Sequence, residues 1–189
     1  VYPIAVQGTR VRLRELDERD APAVHAWTGD ETAVEYVPLG PLDLPGTFRY
    51  VRQLVGEARQ RPREAYTVAI ADPQGDVVGT VSLLVESPTH RRGEIGYILR
   101  RDQWGLGYAT EAAGLMIDLA FRDLGLNRVW AVCDPDNPAS ARVMEKVGMR
   151  YEGCLRGDLL VRGAFRDSLV FGIVANDWID SGAAGDNYL

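Results

Sequence analysis

The stretch from Arg92 to Phe121, RGEIGYILRRDQWGLGYATEAAGLMIDLAF, limits what this chain can fold into more than any other. It begins with an apolar run, Ile95, Tyr97, Ile98 and Leu99, that suits a half-buried strand ending near Arg100. From Ala109 the spacing turns helical. Ala112, Leu115, Met116, Leu119 and Ala120 share one face, and Glu111, Asp118 and Arg122 lie largely off it. Between strand and helix stands Gln103-Trp104-Gly105-Leu106-Gly107-Tyr108, whose two glycines permit backbone conformations that a Cβ forbids and let a ligand come close to the main chain. A helix start beyond such a loop presents unpaired N–H groups and the positive end of the helix dipole, which suits a phosphate. The same glycines would also serve a plain tight turn. Two familiar phosphate loops are excluded. Gly107 is followed by Tyr108 and Ala109 rather than Lys-Ser/Thr, and Thr110 stands where a dinucleotide fingerprint needs its third small residue.

Taken in order, Val6 to Leu16 alternates Val11, Leu13 and Leu16 with Arg10, Arg12 and Arg14, which predicts a first strand. Asp20 is placed to cap a short helix with Pro22 in its first turn. Gly29, Pro38, Gly40, Pro41 and Pro45 break up the next segment, and a second helix is expected from about Thr47 to Gln60. Ala65–Ala71 and Val77–Val85 read as an antiparallel hairpin around Asp72-Pro73-Gln74-Gly75-Asp76. Arg128 to Cys133 is a further strand, Asn137-Pro138 starts a helix that Gly148 ends, and two last strands are expected around 149–155 and 165–174. The pattern predicts one α+β domain over residues 1–180 with a mixed, mostly antiparallel central sheet flanked by helices. The tail over 181–189 is expected to be loose.

Three ordered blocks, GEIGYIL, WGLGYATEA and DNPASARVMEKVGMRYEG, resemble the GNAT superfamily of N-acetyltransferases. Within it they resemble the branch of ribosomal-protein N-terminal (alanine/serine) acetyltransferases, with a likeness covering roughly residues 9 to 178. The family pattern Gln/Arg-x-x-Gly-x-Gly/Ala puts Asp102, not Gln or Arg, in its first position here. The resemblance implies acetyl-CoA as donor and a primary amine as acceptor, either a protein N-terminus or a small molecule. It also implies that the two central strands splay apart near Gly96 and Cys133 to admit the thioester arm. A non-catalytic acyl-CoA sensor or partner module is the alternative reading, and a homodimer is compatible with either.

On that resemblance the cofactor is expected to contact Tyr97, Ile98 and Leu99 through their main chain. Gln103, Trp104, Gly105, Leu106, Gly107, Tyr108 and Ala109 would hold the diphosphate, and Asn137 the pantetheine arm. Ser140, in Asn137-Pro138-Ala139-Ser140, is the expected general acid toward the thiolate, although both polar residues also suit helix capping. Glu94 is the first candidate base and Asp158 the second, one position away from the branch's acid. Asp167 in Phe165-Arg166-Asp167 reads as structural, and Tyr36, Phe48 and Tyr50 lie where the family builds its acceptor wall.

Composition adds limits. A net charge of −6, from 21 basic and 27 acidic residues, argues against nucleic acid as a partner and is compatible with a cationic amine. Cys133 and Cys154 with the distant His25 and His90 make neither a disulfide framework nor a metal cage. With no long apolar span or leader pattern, no membrane insertion or export is expected, and a cytoplasmic location is the simplest reading.

Overall fold

The computed structural model describes residues 2–180. The chain runs through strands β1 (Ala5–Gln7) and β2 (Arg12–Glu15), helices α1 (Ala21–Thr28) and α2 (Leu44–Ala58), then strands β3 (Ala65–Ala71), β4 (Val77–Ser87) and β5 (Arg92–Leu99). Helix α3 (Tyr108–Arg122), strand β6 (Arg128–Cys133) and helix α4 (Pro138–Lys146) follow, and β7 (Arg150–Val161), β8 (Ala164–Val174) and α5 (Ala175–Asp180) complete it. Among the described residues the strands form one eight-stranded sheet in the order β1-β2-β3-β4-β5-β6-β8-β7, antiparallel except where β5 meets β6. The expected tail over 181–189 lies outside the described residues.

Each face of the sheet carries its own apolar layer. Ile95 and Leu99 of β5 pack with Met116, Ile117 and Ala120 of α3 and Met144 of α4 on one side. On the other, Trp27 of α1 and Val51 and Leu54 of α2 pack with Ala69 and Val77, and Ile98 leans on that group. The period of two along β5 therefore sends Ile95, Tyr97 and Leu99 toward α3 and α4, and Glu94, Gly96 and Ile98 toward the opposite face.

The parallel seam decides the architecture. β5 and β6 pair only at Arg92–Arg128, Gly93–Val129 and Glu94–Trp130. Beyond Glu94 the side of β5 that faces β6 has no strand partner, so the two strands part at Gly96 and Cys133, as the resemblance implies. On its other side β5 stays paired with β4 as far as Gly79–Leu99, which holds the strand in place behind its unpaired edge.

Four local expectations are corrected. The single strand over Val6 to Leu16 is a hairpin of β1 and β2, because Gly8 donates to the Val11 carbonyl at 2.9 Å and turns the chain. Asp20 does not cap α1 with its side chain. Asp17 and Asp20 instead make a reciprocal capping box around a 3-10 turn at Glu18–Asp20, with Arg14 paired to Asp20 at 2.7 Å. Helix α2 begins at Leu44 rather than Thr47, since Pro45 sits in the first turn where its missing N–H costs nothing, and Asp43 caps the Gly46 N–H at 2.7 Å. Strand β7 runs to Val161, six residues past its expected end, irregular between Leu155 and Leu159.

Gly79 fixes how closely β4 lies on the end of β5, because an added Cβ would overlap the Ile98 carbonyl oxygen and the Leu99 side chain. Backbone cannot give way as a flexible side chain does. Gly79→Ala is therefore expected to lower the unfolding free energy by about 2 kcal/mol in urea titrations, and a loss below about 0.5 kcal/mol would mean that the two strands adjust freely.

Candidate active site

A cavity of about 490 Å³ opens where β5 and β6 part. Tyr97, Ile98 and Leu99 form one wall, Gln103, Trp104, Gly105, Gly107, Tyr108 and Ala109 a second, and Asn137 and Ser140 at the start of α4 a third. These are the residues that the sequence proposes for donor binding and proton transfer, gathered around one space. Leu106 is the exception within the loop. It does not line the cavity, and its carbonyl accepts from Arg10 Nη1 at 3.3 Å.

Bonds within the protein fix the shape of the loop. Gly105 and Gly107 have φ of +79° and +82°, the left-handed region that side chains with a Cβ resist. The Trp104 indole donates to the Leu99 carbonyl at 3.0 Å and ties the loop to the end of β5. From the outer side, Arg10 reaches the Leu106 carbonyl, and Glu111 holds Arg10 in place. The Glu111 carboxylate accepts from the Arg10 N–H at 2.8 Å and from Arg10 Nε at 3.0 Å. Burial works against that charge, yet the main-chain and guanidinium donors overcome it and hold the Glu111 pKa below its ordinary value.

The amides divide into two sets. Those of Gln103 and Trp104 are used, donating to the carbonyls of Arg100 at 3.0 Å and Arg101 at 3.2 Å, so the expectation that every N–H from 103 to 108 faces a diphosphate is narrowed. Those of Gly107, Tyr108 and Ala109 have no partner among the described residues, and Gly107, as the N-cap of α3, brings no side chain to satisfy them. The amides of Gly105, Leu106 and Thr110 have no partner among the described residues either, and these free donors at the positive end of a fifteen-residue helix form an anion cradle. A Cβ on Gly107 would stand 2.7 Å from Arg10 Nη1 at a φ that side chains resist, so a larger residue there must displace Arg10 or distort the cradle. Asp102, in the position of the family's Gln or Arg, is turned to Arg100 at 2.6 Å and takes no part.

At the third wall, Asn137 Oδ1 accepts from the Ser140 N–H at 3.1 Å and caps α4, while its Nδ2 group stays unbonded among the described residues. The Ser140 hydroxyl lies 2.9 Å from the Tyr97 phenol, which is also 3.0 Å from the Ser140 carbonyl. Burial raises the Tyr97 pKa far above the ordinary phenol value, with the Ser140 hydrogen bond pulling weakly the other way. Burial likewise raises the neighbouring Cys133 thiol to about 11, which suits a core cysteine and not a nucleophile.

Glu94 and Asp158 lie outside this lining. Glu94 projects from the other face of β5 beside Trp130, whose indole donates to Glu86 at 2.6 Å. Burial raises the Glu94 pKa, and the charges of Glu86 and Asp158 add to the rise, so the three carboxyl groups face a common region. Both candidate bases thus lie outside the cavity, while the candidate acid lines it.

Several lining residues escape the sequence reading. Thr32, Ala33, Glu35 and Val37, from the segment between α1 and α2, close the cavity beside Tyr36, the one aromatic of the expected acceptor wall that lines it, whereas Phe48 and Tyr50 do not. Arg162 fastens that segment by donating to the Glu35 and Val34 carbonyls at 2.5 and 2.7 Å. Arg166 pairs with Asp134 at 2.6 Å and Asp136 at 3.1 Å and lies 5.6 Å over the Tyr36 ring, which locks the turn before α4 to the same wall. Arg142 and Lys146, four residues apart on α4, also line the cavity. Their helical spacing was a signal in the sequence. Asp167 accepts from the Gly157 N–H at 2.8 Å, a contact within the β7–β8 hairpin.

The family profile described as Acetyltransferase (GNAT) domain matches residues 10–150. An uncharacterized N-acetyltransferase p20 of Bacillus licheniformis is 27% identical over 169 residues, covering 89% of this chain and 95% of the relative. The spermidine N(1)-acetyltransferase of Escherichia coli K12 is 27% identical over 159 residues, covering 84% and 83%. Among solved structures, RimJ of Mycobacterium smegmatis in complex with CoA-disulfide superposes with a TM-score of 0.82 at 27% identity, covering 96% of each chain.

The raised Glu94 pKa means that the folded protein holds this proton more tightly than the unfolded chain does. Ionising Glu94 therefore weakens the fold as pH climbs from the ordinary carboxylate range through the higher folded value. Glu94→Gln is expected to stabilise the protein at about pH 8 and to leave it unchanged at about pH 3, below both values. Urea unfolding at the two pH values reads this, and a loss of stability at the higher pH would show that the ionised group has a favourable partner.

Proposed function

We propose, on the premise that the chain belongs to the GNAT acetyltransferase family and is an acetyl-CoA-dependent N-acetyltransferase, that it moves the acetyl group to a primary amine by direct attack. The observation that carries this reading is the meeting, in one cavity, of unbonded amides at a helix start, an unpaired strand edge and a serine hydroxyl. The cradle fits the donor, since a diphosphate would meet the N–H groups of Gly107, Tyr108 and Ala109. The Tyr97–Leu99 main chain would pair with the amides of the pantetheine arm as another strand would, with Asn137 Nδ2 as an added donor. When bound, acetyl-CoA supplies the activated acyl group.

The chain's own residues do the rest. A main-chain N–H near Ile98 or Leu99 meets the developing oxyanion. Ser140 gives its proton to the departing sulfur. The acceptor approaches from the far face of the sheet, where Glu94 takes the ammonium proton directly or through water and Asp158 draws a cation inward. The rise in the Glu94 pKa makes it a better proton acceptor. An α-amine, with an ordinary pKa of about 8, needs less help than a lysine-type amine at about 10.

The acceptor in this proposal is a cationic primary amine, a protein N-terminus or a polyamine-like small molecule. The acidic far face supports this, as do relatives named spermidine N(1)-acetyltransferase and putative ribosomal N-acetyltransferase. The proposal includes a cytoplasmic setting, in which Cys133 and Cys154 stay free. Among the described residues no helix is long and apolar enough to cross a membrane.

Thiol release from acetyl-CoA, measured over peptides, polyamines and aminoglycosides, tests the function. Release that depends on a primary amine is expected, and no release with any of them would overturn it. Gly107→Val is expected to stay folded and to lose acetyl-CoA binding in calorimetry, whereas unchanged affinity would remove the cradle from the mechanism.

A further inference from the structure

Tyr97 and Ser140 are 43 residues apart, and their hydroxyls meet in the lining of the cavity. The phenol has one proton and two acceptors in reach, Ser140 Oγ at 2.9 Å and the Ser140 carbonyl at 3.0 Å. That carbonyl lies in the first turn of α4, where the helix ladder supplies a donor from four residues further on. The hydroxyl has no other donor among the described residues. The two arrangements have opposite consequences. If the serine donates to the phenol, its proton points away from the cavity and is withheld from chemistry. If the phenol donates to Oγ, the serine proton is free to turn into the cavity.

We propose that Tyr97 is a positioning residue for acetyl transfer, its phenol donating to Ser140 Oγ so that the serine proton points at the departing sulfur. The inference rests on Ser140 being the proton donor, as proposed above. In the step itself, the O–H bond of Ser140 breaks as an S–H bond forms on the coenzyme A thiolate. The charge left on Oγ is held by the Tyr97 hydrogen bond, and Oγ then takes a proton from water. The amine, on becoming an amide, releases one proton to Glu94 or water, so the protons balance and the phenol keeps its own throughout. Burial holds Tyr97 in its protonated form, which makes it a donor at any working pH. The ring packs against the larger core layer, a contact that phenylalanine would make equally well, so removing the hydroxyl separates packing from chemistry.

The test is a double-mutant cycle in single-turnover acetyl transfer, with donor affinity measured by calorimetry on each variant. Tyr97→Phe is expected to slow transfer about 10-fold or more and Ser140→Ala at least as much. Donor affinity should be unchanged, and the double variant should be no slower than Ser140→Ala alone. A Tyr97→Phe rate equal to or above wild type overturns the proposal, because it places the phenol as acceptor or as packing only. Losses that multiply in the double variant also overturn it, since Tyr97 would then act by a separate route. Ser140→Ala at full rate would instead remove the general-acid reading itself, whatever Tyr97→Phe does. A loss that appears only in donor affinity assigns the hydroxyl to binding and ends the positioning role.

Discussion

The site depends on hydrogen bonds that β5 and β6 do not make. Pairing through Glu94 and Trp130 holds the strands together, and its end there leaves main-chain groups facing an opening between two otherwise well-formed halves of the sheet. Buried backbone polar groups without partners are costly, so the opening persists only because its borders are fixed independently. β4 holds β5 along its other side, and β8 holds β6 from Arg128 to Cys133. The unpaired edge is thus ready for a ligand that brings its own amides.

Function then divides along the two faces. On the α3 and α4 side lie the anion cradle and the serine, placed by helix starts, and the tyrosine, placed by β5. On the α1 and α2 side lie the carboxyl groups around Glu94 and the wall containing Tyr36. In the proposed mechanism acid and base lie on opposite sides of β5, since Tyr97 and Glu94 point to opposite faces of that strand. Arg162 and Arg166 tie the far wall to the β7–β8 hairpin and to the turn before α4, so the two sides are mechanically joined as well.

Much of this was legible in the residues. Gly105 and Gly107 announced a loop, Asn137-Pro138 a helix start, and the apolar run through Leu99 a strand, because each signal is local. The errors have local causes as well. Pro45 read as a breaker although it is tolerated in a first helical turn, and Gly8 looked like part of an alternating strand although it turns the chain. The contacts that complete the site, Tyr97 with Ser140 and Arg166 with Asp134, Asp136 and Tyr36, join residues far apart in sequence that no periodicity connects. The use of the Gln103 and Trp104 amides was equally hidden, since a 3-10 turn at Arg101–Gln103 consumes them.

The central claim is that this unpaired edge and the free helix start receive the donor. Amide hydrogen exchange with and without acetyl-CoA tests it most directly, because it reports main-chain groups residue by residue. Slower exchange at Gly107, Tyr108 and Ala109 and along Tyr97–Leu99, with little change at Gln103 and Trp104, is the predicted result. Protection confined to other parts of the sheet, or none at the helix start, would contradict the account.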